Sequence, residues 1–329
     1  ELSNILITGG AGFIGSHLTE LLLSRNHHVT IVDDLSTGTP TNLKHLESHS
    51  QLTFIHGDIG SEELIKEVIQ GKDQVYHLAA AVGVALIAKQ PIETIERNIY
   101  PTQLLLAALR QRIERGEKVT TFFSSTSEVY GKNPKEVWTE EDDLVFGSTT
   151  RPRWSYGVSK AIDEFLALAC VKEYNLPIVI GRFFNVVGPR QTGAYGMVLP
   201  RFVQAALSGK PLRVHDDGQQ IRCFSHVHDV IQAITQLMET PEAYGKVINI
   251  GSDAPVSILE LAQKVIAICE SDSTIEFQTY TEAYDESFED IRRRVPDLSR
   301  IREMIGDPNH YDIDQIIRDV RDAISESAQ

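Results

Sequence analysis

The chain has few cysteines, a shortage of positive charge and no long apolar run. Its three cysteines, Cys170, Cys223 and Cys269, are far apart and form no CxxC pair. That spacing argues against a disulfide framework or a cysteine zinc site, and three reduced thiols fit a cytoplasmic location. Lysine and arginine number 31 against 46 aspartates and glutamates, giving a net charge of −15 and a pI near 5.2. A surface of this sign repels nucleic acid and anionic membranes, so neither is expected as a partner, although a local basic pocket can still hold a phosphate. No stretch approaches the roughly 20 apolar residues that span a bilayer. The sequence opens on Glu1, so a trimmed start and a removed targeting segment are left open.

What is present is alternation. Compact β-forming runs stand at "NILITG" (4–9), "HVTIVDD" (28–34), "LTFIHGD" (52–58), "QVYHLAA" (74–80), "TTFFSS" (120–125) and "IVIGRF" (178–183). Helical patterns separate them, as in "SHLTELLLSR" (16–25), "SEELIKEVIQ" (61–70) and "YPTQLLLAALRQRIERG" (100–116). Buried strands alternating with helices predict an α/β protein with a Rossmann-like, doubly wound parallel sheet. The rhythm breaks at 187–218, "GKVINIGS" (245–252) reads as one more strand returning to the sheet, and helices dominate beyond 253. We therefore expect a nucleotide-binding domain from 1–186 plus about 219–252. A smaller, C-terminal substrate-binding lobe is expected from 187–218 and 253–329. The acidic run "TEEDD" (139–143) reads as a solvated loop.

In "TGGAGFIGSHL", Gly9, Gly12 and Gly15 follow the first strand and open a helix. Glycines there allow a tight turn and close approach of the backbone to a pyrophosphate, which then meets the free N–H groups of the helix end. The second strand ends in Asp33, 24 residues after Gly9, where a carboxylate meets ribose hydroxyls and repels a 2′-phosphate. NAD is favoured over NADP on that ground. Asp58, at the end of the third strand, reads either as an adenine contact or as a strand-end cap.

The GxxGxxG spacing resembles the short-chain dehydrogenase/reductase superfamily, in its extended branch of nucleotide-sugar epimerases, dehydratases and decarboxylases. "RWSYGVSKAIDEF" (153–165) supplies the Tyr156 and Lys160 that such a resemblance requires, one helical turn apart. A tyrosine with an ordinary pKa of about 10 is a poor base at neutral pH. A neighbouring ammonium and a positive nicotinamide are expected to lower it. The resemblance implies a third catalytic residue, Thr126 in "SSTSEVYG" (124–131), and a tightly bound NAD that is recycled. It assigns Gly9, Gly12, Phe13, Ile14, Gly15, Asp33, Asp58, Ile59, Leu78, Ala79, Ala80 and Asn98 to the cofactor, with Tyr156 and Lys160. It assigns Ser127, Asn185, Arg190, Arg201, Arg222 and Arg294 to a UDP-sugar, with Arg222 and Arg294 on the diphosphate. His226 and His228 stand two apart, but no carboxylate-rich motif accompanies them and no metal is expected.

Arg190 follows "GP" and, by the same resemblance, pairs with the C6 carboxylate of UDP-glucuronate; "RPRW" and "QTGAYGMVLPRF" (191–202) point to the same subgroup. Oxidation at C4 then leads either to 4-epimerisation or to loss of CO₂. Dehydration would need an Asp-Glu pair before "VYG", and this chain has Ser127-Glu128. Glu128 resembles the decarboxylases, whereas "HLAAAVGV" (77–84) resembles the glucuronate 4-epimerases. On sequence, a 4-epimerase of UDP-glucuronate comes first, a UDP-glucuronate decarboxylase second and a UDP-glucose-type epimerase third, with Glu128 steering the 4-keto intermediate. An NAD-binding scaffold without activity is disfavoured by the joint presence of Thr126, Tyr156 and Lys160. A dehydrogenase releasing NADH would need an open route for cofactor exchange. The family often forms homodimers, and the helices near 100–116 and 157–173 are expected to supply the contact.

Overall fold

The computed structural model describes residues 1–80, 89–191, 197–279 and 291–329. Short β-branched runs become the strands β1 (Asn4–Thr8), β2 (His28–Asp33), β3 (Leu52–His56), β4 (Gln74–His77), β5 (Thr120–Thr126) and β6 (Ile178–Phe183). After β7 (Val186–Val187), β8 (Leu212–His215), β9 (Ile221–Cys223) and β10 (Ser225–His226), the chain returns to the sheet as β11 (Val247–Ile250). The seven-stranded sheet runs β11-β6-β5-β4-β1-β2-β3, and every pair is parallel. The order reverses between β1 and β4. Loops leaving their carboxyl ends diverge there and open the crevice in which such sheets bind ligands.

Both faces of the sheet are covered over the inner strands β1, β4, β5 and β6, whose residues are mostly buried, whereas the edge strand β3 is partly exposed. One face packs on α1 (Phe13–Ser24), α6 (Val227–Met238) and α8 (Ser299–Ile305), burying Leu18, Leu22, Ile231, Ile234 and Ile301. The other carries α2 (Glu62–Val68), α3 (Pro91–Glu114) and α4 (Ser155–Tyr174), burying Ile65, Leu105, Leu109 and Ala167. Helix α3 begins nine residues before the run that marked it in the sequence and passes through Pro101. Proline lacks an N–H and so masks a helix in a sequence pattern.

A separate, smaller core joins α5 (Val198–Leu207), β8, α7 (Ile258–Ile268) and α9 (Ile313–Ser327). In α9, Ile313, Ile316, Ile317, Val320 and Ile324 recur at helical spacing and form the face that packs there. The strands β12 (Pro255–Ser257) and β13 (Ile275–Gln278) pair with β9 and β8. Among the described residues, no helix is long and apolar enough to cross a membrane.

The acidic run is a solvated loop only in part, since Glu141 and Asp143 are exposed and the residues between and before them are not. Glu140 is buried, and Asp142 pairs with Lys135 at 2.6 Å. Burial pushes the Glu140 carboxyl up to about 7, against the pull of Arg300, whose Nε lies 3.5 Å away. Local composition cannot reveal this, because the cover over Glu140 comes from the distant segment around residues 296–300.

Candidate active site

One cleft runs along the carboxyl ends of β1, β4, β5 and β6. At its first end, Gly9 has φ +74°, and a Cβ there would stand 2.9 Å from the Ala79 nitrogen. A Cβ on Gly15 would lie 2.2 Å from the Gly9 carbonyl. Side chains at either position would fill the turn, so the backbone itself forms the wall. Gly12 precedes α1 in extended conformation with no side-chain cap, which leaves the first N–H groups of the helix facing the cleft. Phe13, Ile14, Asp33, Asp58, Ile59, Leu78, Ala79 and Ala80 line the same end. Asp33 accepts bonds from the N–H groups of Ala11 (2.9 Å) and Leu35 (2.8 Å); burial raises its pKa and these donors oppose the rise. Asp58 accepts from the Gly60 N–H at 2.7 Å. An uncapped helix end, a glycine wall and a carboxylate on the second strand fit a dinucleotide.

The centre of the cleft holds Thr126, at the end of β5, together with Tyr156 and Lys160 from α4. Gly157 lets α4 approach the turn Ser127–Tyr130, since a Cβ on it would stand 2.5 Å from the Glu128 carbonyl. Tyr156 and Lys160 are both buried. Contrary to expectation, the Tyr156 phenol is held above its ordinary pKa. Burial is the largest cause and the Glu128 anion adds to it, while a hydrogen bond with Thr126 works the other way. Burial lowers the Lys160 pKa against the pull of Asp163, whose Oδ2 is 3.7 Å from Nζ. A positive charge beside Tyr156 therefore has much to supply. His77 packs inside, with Nδ1 at 2.7 Å from the Thr8 hydroxyl and a pKa lowered by burial to about 3.

Beyond Tyr156 lies Glu128. Its Oε2 accepts from Arg153 Nη1 at 2.7 Å, and its Oε1 meets Arg294 Nη1 at 2.9 Å. Burial alone would raise its pKa, but Arg294 and Arg153 overcome that and hold it at about 2. Arg153 is 4% exposed at its side chain, and its guanidinium lies 5.1 Å from the centre of the Trp154 ring. The cleft continues past Ser127, Asn185, Arg201, His215, Gln220 and Arg222.

Two expected site residues, Arg190 and Asn98, stand outside the cleft lining, and a third, Arg294, has a partner the sequence did not indicate. Arg190 adopts φ +72° and turns toward α1, where Nη2 donates to Glu20 Oε2 at 2.7 Å and Nη1 to the Ser16 hydroxyl at 3.4 Å. Among the described residues, those lining the cleft do not include it. The left-handed backbone, which sequence spacing does not show, aims its side chain away. Arg294, expected on a diphosphate, lines the cleft and also pairs with Glu128. Asn98, expected on the cofactor, stands one layer back and donates to the Ser159 hydroxyl at 3.1 Å, tying α3 to α4. Residues 81–84 of "HLAAAVGV" and 192–196 of "QTGAYGMVLPRF" lie outside the described residues.

Sequence reasoning missed Arg153, Asp34 and Arg97 in this site. Asp34 and Arg97 form a 3.2 Å pair on the cleft wall. Arg153 carried a usable signal, because it stands three residues before Tyr156, in the 3₁₀ turn Pro152–Trp154 that leads into α4.

Comparison with known proteins agrees with this geometry. The family model described as GDP-mannose 4,6 dehydratase matches residues 6–320. A UDP-N-acetyl-alpha-D-glucosaminuronate decarboxylase of Bacillus cytotoxicus is 41% identical over 301 residues, covering 91% of this chain and 90% of that protein. UDP-glucuronic acid decarboxylase 1 of Danio rerio is 34% identical, covering 93% of this chain and 69% of the other. Among solved structures, the UDP-glucuronic acid 4-epimerase of Bacillus cereus in complex with UDP-glucuronic acid and NAD superposes with a TM-score of 0.87 at 31% identity, covering 98% and 99% of the two chains.

Proposed function

Because the chain belongs to the extended short-chain dehydrogenase/reductase family of nucleotide-sugar epimerases, dehydratases and decarboxylases, we propose that it is an NAD-dependent decarboxylase of a UDP-hexuronate. Glu128, fixed as an anion between Arg153 and Arg294, is the observation that carries this choice. The glycine turn and Asp33 would hold NAD, which would supply a reversible hydride acceptor for C4. Thr126 bonds to the reacting C4 oxygen, Tyr156 removes its proton, and Lys160 supplies the positive charge that supports the phenolate. Once C4 is a ketone, the C6 carboxylate belongs to a β-keto acid.

Two features favour release of CO₂ over retention. A bidentate guanidinium on the C6 carboxylate would stabilise its charge and hold it in place. Arg190, the candidate for that grip, is paired with Glu20 on α1. A permanent Glu128 anion beside C6 acts in the opposite sense, since it opposes a second carboxylate and favours departure of neutral CO₂. As the C5–C6 bond breaks, its electron pair passes into the C4 carbonyl as an enolate facing Thr126 and Tyr156. C5 then takes a solvent proton, and Arg153 and Arg294 offset the charge that develops. Arg201 and Arg222, at the far end of the cleft, suit the diphosphate.

The second reading is 4-epimerisation of UDP-glucuronate, which the sequence placed first. The likeness to the Bacillus cereus epimerase favours it. Incubation with UDP-glucuronate and, separately, with UDP-N-acetylglucosaminuronate, followed by NMR, distinguishes the two. A UDP-pentose and CO₂ are expected; an inverted C4 with C6 retained would establish epimerisation instead. Tyr156→Phe should lower turnover on the order of 10³-fold while the protein keeps its NAD.

The same reading carries a homodimer. Ile92, Ile95 and Tyr100 on α3 and Val158, Ile162 and Phe165 on α4 are exposed apolar side chains on helices that pack together. Facing α3 and α4 of a second copy would cover them, and sedimentation at micromolar concentration tests this.

A further inference from the structure

Glu128 and Arg294 meet in the cleft but come from segments far apart in the chain, and neither lies on a sheet strand. Glu128 sits in the 3₁₀ turn Ser127–Tyr130 after β5. Arg294 sits in an irregular segment ahead of α8. Something must fix one against the other to within a few tenths of an ångström. We propose that Asn249, near the end of the edge strand β11, is the positioning residue that sets this pair; this rests on the decarboxylase reading of Glu128.

Asn249 is 1% exposed and makes three hydrogen bonds to three separate segments. Its Oδ1 accepts from the Tyr130 hydroxyl at 2.6 Å, and Tyr130 closes the turn that carries Glu128. Its Nδ2 donates to the Trp138 carbonyl at 2.9 Å and to the Asp297 carbonyl at 3.1 Å. Asp297 lies three residues after Arg294. A carboxamide offers two donors on one atom and an acceptor on the other, so one side chain can join an O–H to two carbonyls. Aspartate lacks the donors, and leucine, of similar volume, has neither function.

Backbone contacts prepare the same place without linking the two segments directly. Trp138 N–H donates to the Val295 carbonyl at 2.9 Å, and Asp297 N–H donates back to the Trp138 carbonyl at 2.8 Å. The Arg294 N–H donates to the Ile221 carbonyl at 3.1 Å. The Tyr130 and Trp138 rings stack with centroids 5.0 Å apart, closing the hub from one side. These contacts hold the Arg294 segment to the protein. The Asn249 amide adds the connection from that segment to the Glu128 turn through Tyr130. Buried polar hubs of this kind specify one arrangement, because any shift leaves a donor or acceptor unpaired.

The test is a double-mutant cycle between Asn249→Leu and Arg294→Met, read in kcat, KM and bound NAD. Asn249→Leu alone should lower kcat roughly 10–100-fold, with KM and NAD content within about threefold. In the Arg294→Met background the same change should cost less than about twofold more, because the partner it positions is already gone. Equal losses in both backgrounds, or an unchanged kcat in Asn249→Leu, would overturn the proposal, as would an unchanged kcat in Arg294→Met. If Asn249→Leu does not fold, Tyr130→Phe decides. It removes one hydroxyl and keeps the ring stack, with an expected kcat loss of roughly 3–10-fold that vanishes in the Arg294→Met background. Additive loss there refutes the link. Product identity is read in the same assays, so a C4 epimer in place of CO₂ would count against the decarboxylase reading while the cycle still reports on the hub.

Discussion

Two glutamate–arginine clusters, one inside the cleft and one against α1, differ in what surrounds them. Glu128 meets Arg153 and Arg294 with side-chain exposures of 13%, 4% and 10%. Glu20 meets Arg190 and His45 with exposures of 44%, 22% and 44%. The distances are alike, between 2.7 and 3.2 Å. In the first cluster water is largely excluded, so the charges act on one another and on whatever enters the cleft. In the second, solvent screens a pair that does no more than fasten the residues after β7 to α1. From sequence, Arg190 carried the substrate argument; the drier surroundings of the Arg153 cluster are the reason the proposed function turns on that cluster instead.

The sharpest way to break the contrast is Glu128→Gln, which keeps the shape and removes the anion. CO₂ release from UDP-hexuronate should fall on the order of 10²-fold or more in a steady-state assay. Arg153→Met comes next, with kcat down roughly 10–100-fold and a changed pH profile. Glu128 has a depressed pKa of about 2, so it is ionised throughout the range of an ordinary assay, and its ion-pair stabilisation disappears only as the pH falls toward that value. Losing Arg153 raises that pKa, and the acid limb of kcat should move to higher pH. An unmoved limb would remove Arg153 from the role assigned to it.

Glu140 provides a buried carboxylate on which burial outweighs the pull of Arg300, 3.5 Å away. Its pKa is raised to about 7, so the stability linked to its proton is fully present below the ordinary carboxylate pKa and is lost as pH rises through 7. Glu140→Gln should therefore raise the melting temperature at pH 8 by roughly 2–4 °C and change it little at pH 5. A gain at pH 5 equal to that at pH 8 would show that the carboxyl is not titrating there. Glu20→Gln should have the smallest effect, with kcat/KM within about threefold of the parent. A 10²-fold loss in kcat/KM would return Arg190 to the substrate carboxylate.

The nucleotide-binding half was legible because its signals are local. Gly9, Gly12 and Gly15 act within one turn, Asp33 ends the next strand, and the spacing of Tyr156 and Lys160 is one turn of one helix. The arginines were not legible in the same way. Arg153, Arg190 and Arg294 are equally plausible as a sequence, and which one faces the cleft depends on a left-handed residue at 190 and on the segment around 294 closing over Trp138. Glu140 fails as a solvated residue for the same reason, since its cover arrives from more than 150 residues away.

The alternation of strand and helix, the glycine turn and the Tyr156–Lys160 pair were readable from the chain alone, because each depends on neighbours within a few residues, and Thr126 was readable from the family motif around it. Tertiary structure alone decided which charges share a dry site. Long flexible arginines take their direction from distant contacts, and the strength of a charge depends on the water excluded around it. Glu128 is an anion with two fixed partners only because β5, the turn at 152–154 and the chain at 294 converge there.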